Sequence, residues 1–245
     1  MKRFFTILAA LTIGAAGAIE LNVNGSHEHI ALNWKNTMAY PAFTVSFKVR
    51  MNKKDMVLPA SVKNRGRILF QLNSGTPKAP GLQNIKIFFS VPSHPAGGYA
   101  GIQSSSKNHS GKEERIRYNV FWRAENSQVP TDEFVTVTLV YADGRLDAYL
   151  NQQNHAALHK LMTHTIIHAA PEYQMSFGGM GKRYSVPCAI KDIAIFDRAL
   201  TAQDAKLLAT GTKPQKIIGL LAYYPLEKNG NPAVASSQIK LKVIK

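Results

Sequence analysis

The sequence predicts an all-β protein, a sandwich or barrel of short antiparallel strands with one short helix late in the chain. Three observations carry that expectation. In Phe43-Thr44-Val45-Ser46-Phe47-Lys48-Val49-Arg50-Met51 every odd position is apolar and every even one polar, the period-two pattern of a strand with one buried face. Similar short runs recur along the chain with turn residues between them. Asp143-Gly144 separates two of those runs, and a type I′ turn, which needs φ > 0 at both central residues, makes them antiparallel neighbours.

Taken from the N-terminus, the first element is an address. Lys2-Arg3 precede an apolar run from Phe4 to Ile13, and small residues end at Ala16-Gly17-Ala18. This is the composition of a secretory signal peptide, with cleavage expected before Ile19 and residues 19–245 forming one mature domain. The apolar run is shorter than the roughly 20 residues of a membrane span, and no cysteine follows it to carry a lipoprotein anchor. A soluble chain, secreted or periplasmic and without a transmembrane segment after cleavage, is the expectation.

Further strands are expected at Ile68–Asn73, Ile85–Val91, Arg115–Arg123, Phe134–Ala142, Arg145–Asn151, Tyr173–Gly178, Ala189–Phe196, Leu220–Tyr224 and Ile239–Val243. Thr201 as cap, Asp204 at the capping-box position and Gly211 beyond the end predict a helix over Ala202–Thr210. The polar, Gly-, Ser-, Pro- or Lys-rich stretches Asn52–Gly66, Ser74–Gly81 and Ser104–Glu114 have loop compositions. No repeat of 20–50 residues suggests a propeller or solenoid.

Composition bounds the chemistry. Thirty Lys and Arg against fifteen Asp and Glu give +15 over 245 residues. Without residues 1–18, 28 basic groups oppose the same 15 acids, leaving +13. The lone Cys188 can form neither an intramolecular disulfide nor a thiolate metal site of the usual kind. No nucleic-acid motif accompanies the charge, and export argues against a genomic partner.

The order of the later elements resembles a LamG-like jelly roll of the concanavalin A-like lectin/glucanase superfamily. The resemblance rests on Phe43–Met51, on Phe134–Tyr141 with Asp143-Gly144 and Leu146–Asn151, on Gly178-Gly179, and on Ile190–Asp197 running through Arg198-Ala199-Leu200-Thr201 into the helix, with Gly219–Leu226 as closing strand. It implies two antiparallel sheets packed face to face and a sheet face that many relatives use to hold glycans. It implies no shared catalytic site.

The Glu-x-Asp-x-x-Glu strand of the superfamily's glucanases, which sets two carboxylates on one face, is absent. No Glu has an Asp two residues later, so no retaining glycosidase and no catalytic residues are expected. His27 and His29 would share a strand face, and His155/His159 and His164/His168 have i, i+4 spacing, which on a strand leaves them about 13 Å apart. Neither a metal nor a cofactor is assigned; Asp143 is explained by its hairpin.

The candidate ligand-binding residues are Arg115, Arg117, Asn119, Phe121 and Arg123, which alternation puts on one strand face opposite Ile116, Tyr118, Val120 and Trp122. Guanidinium groups pair with carboxylates or sulfates, and an exposed ring stacks on a sugar. The expected activity is therefore non-catalytic binding or adhesion, with an acidic glycan or anionic envelope component as partner. The enzymatic alternative is a polysaccharide lyase, using the arginines with Tyr118 or His109. The third is a purely structural envelope protein. Lys53-Lys54, Lys63–Arg67, Lys182-Arg183 and Lys240/Lys242/Lys245 add a positive field without naming a site.

Overall fold

The computed structural model describes residues 13–14, 17–21, 28–35, 42–51, 67–76, 79–89, 100–107, 113–117, 132–142, 145–151, 153–154, 172–179, 187–226, 233–234 and 236–244. In chain order the strands are β1 (Ile13–Gly14), β2 (Ala18–Leu21), β3 (His29–Lys35), β4 (Ala42–Met51), β5 (Arg67–Thr76), β6 (Ala79–Phe89), β7 (Ala100–Lys107) and β8 (Glu113–Arg117). They continue with β9 (Phe134–Ala142), β10 (Arg145–Leu150), β11 (Gln153–Asn154), β12 (Glu172–Phe177) and β13 (Cys188–Phe196). Helix α1 (Ala202–Ala209) follows, and β14 (Leu220–Tyr224) and β15 (Ile239–Ile244) close the chain.

All pairings are antiparallel, and they build two sheets. One has the order β1-β2-β13-β4-β9-β10-β11 with β14 also on β13; the other runs β15-β3-β12-β5-β6-β7-β8. The alternation read from Phe43–Met51 is realised, since Phe43, Val45, Phe47, Val49 and Met51 point into the core. Phe47 stacks on Phe70 at 5.6 Å between ring centroids and meets Phe177 edge-on at 5.1 Å, so its ring spans from the eight-stranded to the seven-stranded sheet. Trp34, Phe43, Tyr141 and Tyr173 form a second aromatic group across the same interface. Each such buried side chain contributes about 1.5–3 kcal/mol over its exposed state, which holds the sheets face to face without a disulfide. The result is the all-β, two-sheet jelly-roll sandwich, with one α-helix among the described residues.

The β9–β10 register closes on Ala142 opposite Arg145, leaving Asp143-Gly144 as the two-residue connection. The capping box at α1 is formed as expected: Asp204 N donates to Thr201 Oγ1 at 3.1 Å, and Thr201 N donates to Asp204 Oδ2 at 3.0 Å. The segment carrying α1 covers one end of the outer face of the eight-stranded sheet, where Leu200, Ala205, Leu208 and Ile217 pack on Val140, Tyr149, Ala194 and Phe196. Thr44, buried beneath it, donates from Oγ1 to Arg198 O at 2.8 Å and accepts from Leu200 N at 3.0 Å.

Several expectations need correction. Ser74–Gly81 is largely strand: β5 continues to Thr76 and β6 begins at Ala79, with Thr76 opposite Ala79. Likewise Ser104–Lys107 lies in β7, paired with β6 on one side and β8 on the other, and Glu113-Glu114 open β8. Pairing on both sides outweighs the poor strand propensity of serine and glycine. Five of the described strands, β1, β2, β3, β7 and β11, have no counterpart among the expected ones. Ile13–Gly14, within the expected leader, folds back on Ala18 and Ile19 through a turn with Gly17 at φ 61°. Asn52–Gly66 lies outside the described residues.

Candidate functional site

The outer face of the seven-stranded sheet is organised by register. In β3, Ile30, Leu32 and Trp34 point inward, so Ala31, Asn33 and Lys35 point out; in β12, Tyr173, Met175 and Phe177 point in, leaving Glu172, Gln174 and Ser176 outside. Directly opposed residues share a face of a sheet. One transverse row therefore runs Lys240–Asn33–Gln174–Asn73, and the register carries it on through positions Asn84, Ser105 and Arg115. The adjacent row runs Lys242–Ala31–Ser176–Gln71 and continues through positions Lys86, Gln103 and Arg117. Each row crosses all seven strands and has a cationic residue at both ends.

The centre of these rows holds polar groups without partners. Gln71 is only 2% exposed, and its Nε2 donates to Asn73 Oδ1 at 2.7 Å. Among the described residues its Oε1 has no donor, and the buried Oγ of Ser176, the residue directly opposite it, has no hydrogen-bond partner. An unsatisfied buried polar group costs about 1–3 kcal/mol. Carboxamides present a donor and an acceptor, so Asn33, Gln174 and Asn73, which keep part of their surface exposed, can engage a polyhydroxylated molecule, whereas the unpartnered atoms of Gln71 and Ser176 are closed off from solvent.

On the outer face of the other sheet several charged groups are paired with one another, although Arg50 Nε is buried without a partner among the described residues. At the end that α1 leaves open, Arg50 Nη2 binds Glu20 Oε1 at 2.7 Å across the small Ala189, which lies opposite both residues. Lys48 Nζ binds Asp192 Oδ2 at 3.0 Å, and Tyr223 donates its hydroxyl to Asp192 Oδ1 at 2.6 Å. Lys191, facing Lys48 across the strands, sets its Nζ 4.2 Å from the Phe134 ring centroid, with Arg50 Cζ 5.1 Å from the same ring. Beneath this face, burial and the nearby Glu20 carboxylate push the Cys188 thiol far above its ordinary pKa, so it is an inert packing group. Burial also raises Tyr224, whose hydroxyl donates to Ile239 O at 3.1 Å.

Of the residues expected to bind ligand, Arg115 and Arg117 lie on β8 at the edge of the seven-stranded sheet, opposite Ser105 and Gln103. Asn119, Phe121 and Arg123 lie outside the described residues, as do Tyr118, His109, His27 and the histidines at 155, 159, 164 and 168. His29 opens β3, opposite Ile244. The sequence reading missed Asn33, Gln71, Asn73, Gln174 and Ser176, and it left Lys240 and Lys242 as scattered charge. The alternation Ile30-Ala31-Leu32-Asn33-Trp34-Lys35 was the available signal for β3; nothing local to Lys240 or Lys242 tells which strand they join.

No family model and no curated protein matches the chain. Among solved structures, a heptameric SAP-like pentraxin from Limulus polyphemus is 12% identical with a TM-score of 0.43, covering 90% of this chain and 97% of that one. The receptor-binding domain of a botulinum neurotoxin mosaic serotype C/D is 15% identical with a TM-score of 0.46, covering 78% of this chain and 43% of that one. Domain 4 of AbnA, an extracellular arabinanase from Geobacillus stearothermophilus in complex with arabinotriose, is 16% identical with a TM-score of 0.39, covering 69% and 66%. The likeness is one of general outline, and no residue's role passes from these proteins to this one.

Proposed function

We propose that the chain is an exported, non-catalytic carbohydrate-binding or adhesion module of the LamG-like kind, which takes an acidic glycan or anionic envelope component on the outer face of its seven-stranded sheet. The observation that carries this is the pair of transverse rows, amide and hydroxyl at the centre and cationic at both ends. Sugar hydroxyls can bond the exposed and half-exposed amides of Asn33, Gln174 and Asn73, and the carboxylates or sulfates of an acidic glycan meet Lys and Arg with charge-assisted bonds. The +13 expected for the mature chain would raise the local concentration of a polyanion around it. Processing before Ile19 would keep all three pairs between β2 and β13, Leu21–Cys188, Glu20–Ala189 and Ile19–Ile190, so the proposed export is compatible with this sheet.

A glycan array probed with the mature chain at two salt concentrations tests the reading. Acidic glycans are expected to bind more tightly at low salt, because exposed charges are screened within about 8 Å at physiological ionic strength. Replacing Arg115, Arg117 and Arg123 together by Gln should weaken binding and flatten its salt dependence. Equal binding of all glycans by wild type and the triple variant would remove the proposal.

A further inference from the structure

Resting on that glycan reading, we infer that the ligand is an extended polyanionic chain lying across the strands and engaging both edges of the seven-stranded sheet at once, rather than a single terminal acidic sugar. The two cationic pairs are far apart in sequence but lie on the same two rows: Lys240 and Arg115 end one, Lys242 and Arg117 end the other, which also carries Lys86 at an intermediate position. Six strand-to-strand steps of about 4.8 Å separate the pairs, roughly 29 Å in all. That is several times the screening length of about 8 Å, so one compact anion at either edge gains nothing from the other. A chain that reaches both gains twice, because its second contact forms at the effective concentration set by the first.

The intervening positions fit the same occupant. Asn33, Gln174 and Asn73, all at least partly exposed, offer a polyanion hydrogen-bonding groups between its two charged contacts, and Glu172 on the same face lies beside that row, opposite Lys35. A lysine at an edge strand also discourages pairing with another sheet. That role needs only a charge on the edge and sets no requirement for the opposite edge of the sheet, which is the difference the experiment reads.

Oligogalacturonates and heparin oligosaccharides graded from disaccharide to dodecasaccharide are titrated calorimetrically into the mature chain, into Lys240→Gln/Lys242→Gln and into Arg115→Gln/Arg117→Gln, with thermal melts confirming that each variant is folded. Wild-type affinity is expected to rise by about tenfold or more once the chain is long enough to span the sheet, and either double substitution should abolish the rise while leaving a weaker, length-independent affinity. A plateau already reached with the shortest oligomers, or sensitivity to only one of the two pairs, overturns the spanning mode and leaves the glycan reading standing. If no acidic oligomer of any length binds the wild type and the array is also blank, both fall together.

Discussion

The two outer faces of the sandwich differ in how their described charged side chains are partnered. On the eight-stranded sheet, Lys48, Arg50 and Lys191 are matched by Asp192, Glu20 and the Phe134 ring, all within one patch. On the seven-stranded sheet, Lys240 and Lys242 are exposed and enter no salt bridge among the described residues. Charge by itself therefore fails to mark a binding face. A cation bound to its own neighbour must lose that contact before it takes a ligand, whereas an exposed lysine without such a neighbour loses none.

The comparison presupposes that both faces belong to one rigid body, and the largest effect comes from breaking that. Phe47 projects from the eight-stranded sheet onto Phe70 and Phe177 of the seven-stranded one. Phe47→Ala should cost about 3–5 kcal/mol in urea unfolding, with glycan binding lost in the same transition that unfolds the protein. Two transitions, with binding surviving the first, would show that the seven-stranded face stands without its partner sheet.

A smaller pair of substitutions separates the faces directly. Asp192 sits at φ 55° in a bulge of β13 and accepts from both Lys48 and Tyr223. Asp192→Ala should therefore destabilise by about 1–2 kcal/mol and leave glycan affinity unchanged, while Asp192→Asn, which tolerates the left-handed backbone, recovers part of the loss. Gln174→Leu should do the reverse: stability within about 1 kcal/mol of wild type, since the side chain is part-exposed, and a several-fold weaker glycan affinity by calorimetry. If Gln174→Leu leaves affinity unchanged and Asp192→Ala weakens binding, the assignment of ligand face and self-paired face is inverted.

How much of this was legible in the sequence follows from the range of each signal. The Phe43–Met51 alternation, the Asp143-Gly144 connection and the Thr201/Asp204 cap depend on residues within a few positions of one another, and they are realised as written. The rows on the seven-stranded sheet are different in kind. Lys240 meets Asn33 across 207 positions of chain, and Gln174 meets Asn73 across 101. Strand order and register are tertiary properties, and a one-residue slip would have exchanged every inward and outward side chain. Arg115 and Arg117 were visible because both lie on one strand; their counterparts at the opposite edge became visible only through the register.

The smallest expected effect concerns the covered end of the eight-stranded sheet, where α1 seals what the ionic patch leaves open. Burial of Asp204 opposes its ionisation, but the Thr201 backbone N–H and hydroxyl and the Arg198 guanidinium outweigh it and hold the carboxyl below its ordinary pKa. A group depressed in the folded state contributes stability above its unfolded pKa of about 3.9 and loses that contribution as pH falls through the folded value. Asp204→Asn keeps an acceptor for the cap but removes the charge from the helix N-terminus and from Arg198. It should lower stability by about 0.3–1 kcal/mol at neutral pH, with the gap to wild type closing in acid. Urea midpoints measured from neutral pH down to about pH 3 check the sign, because a gap that widens in acid would mean the carboxyl is raised, not depressed. Glycan affinity should not move, since Asp204 sits over the eight-stranded sheet while the proposed ligand lies on the outer face of the other; a change in affinity would mean that the two faces communicate through the core.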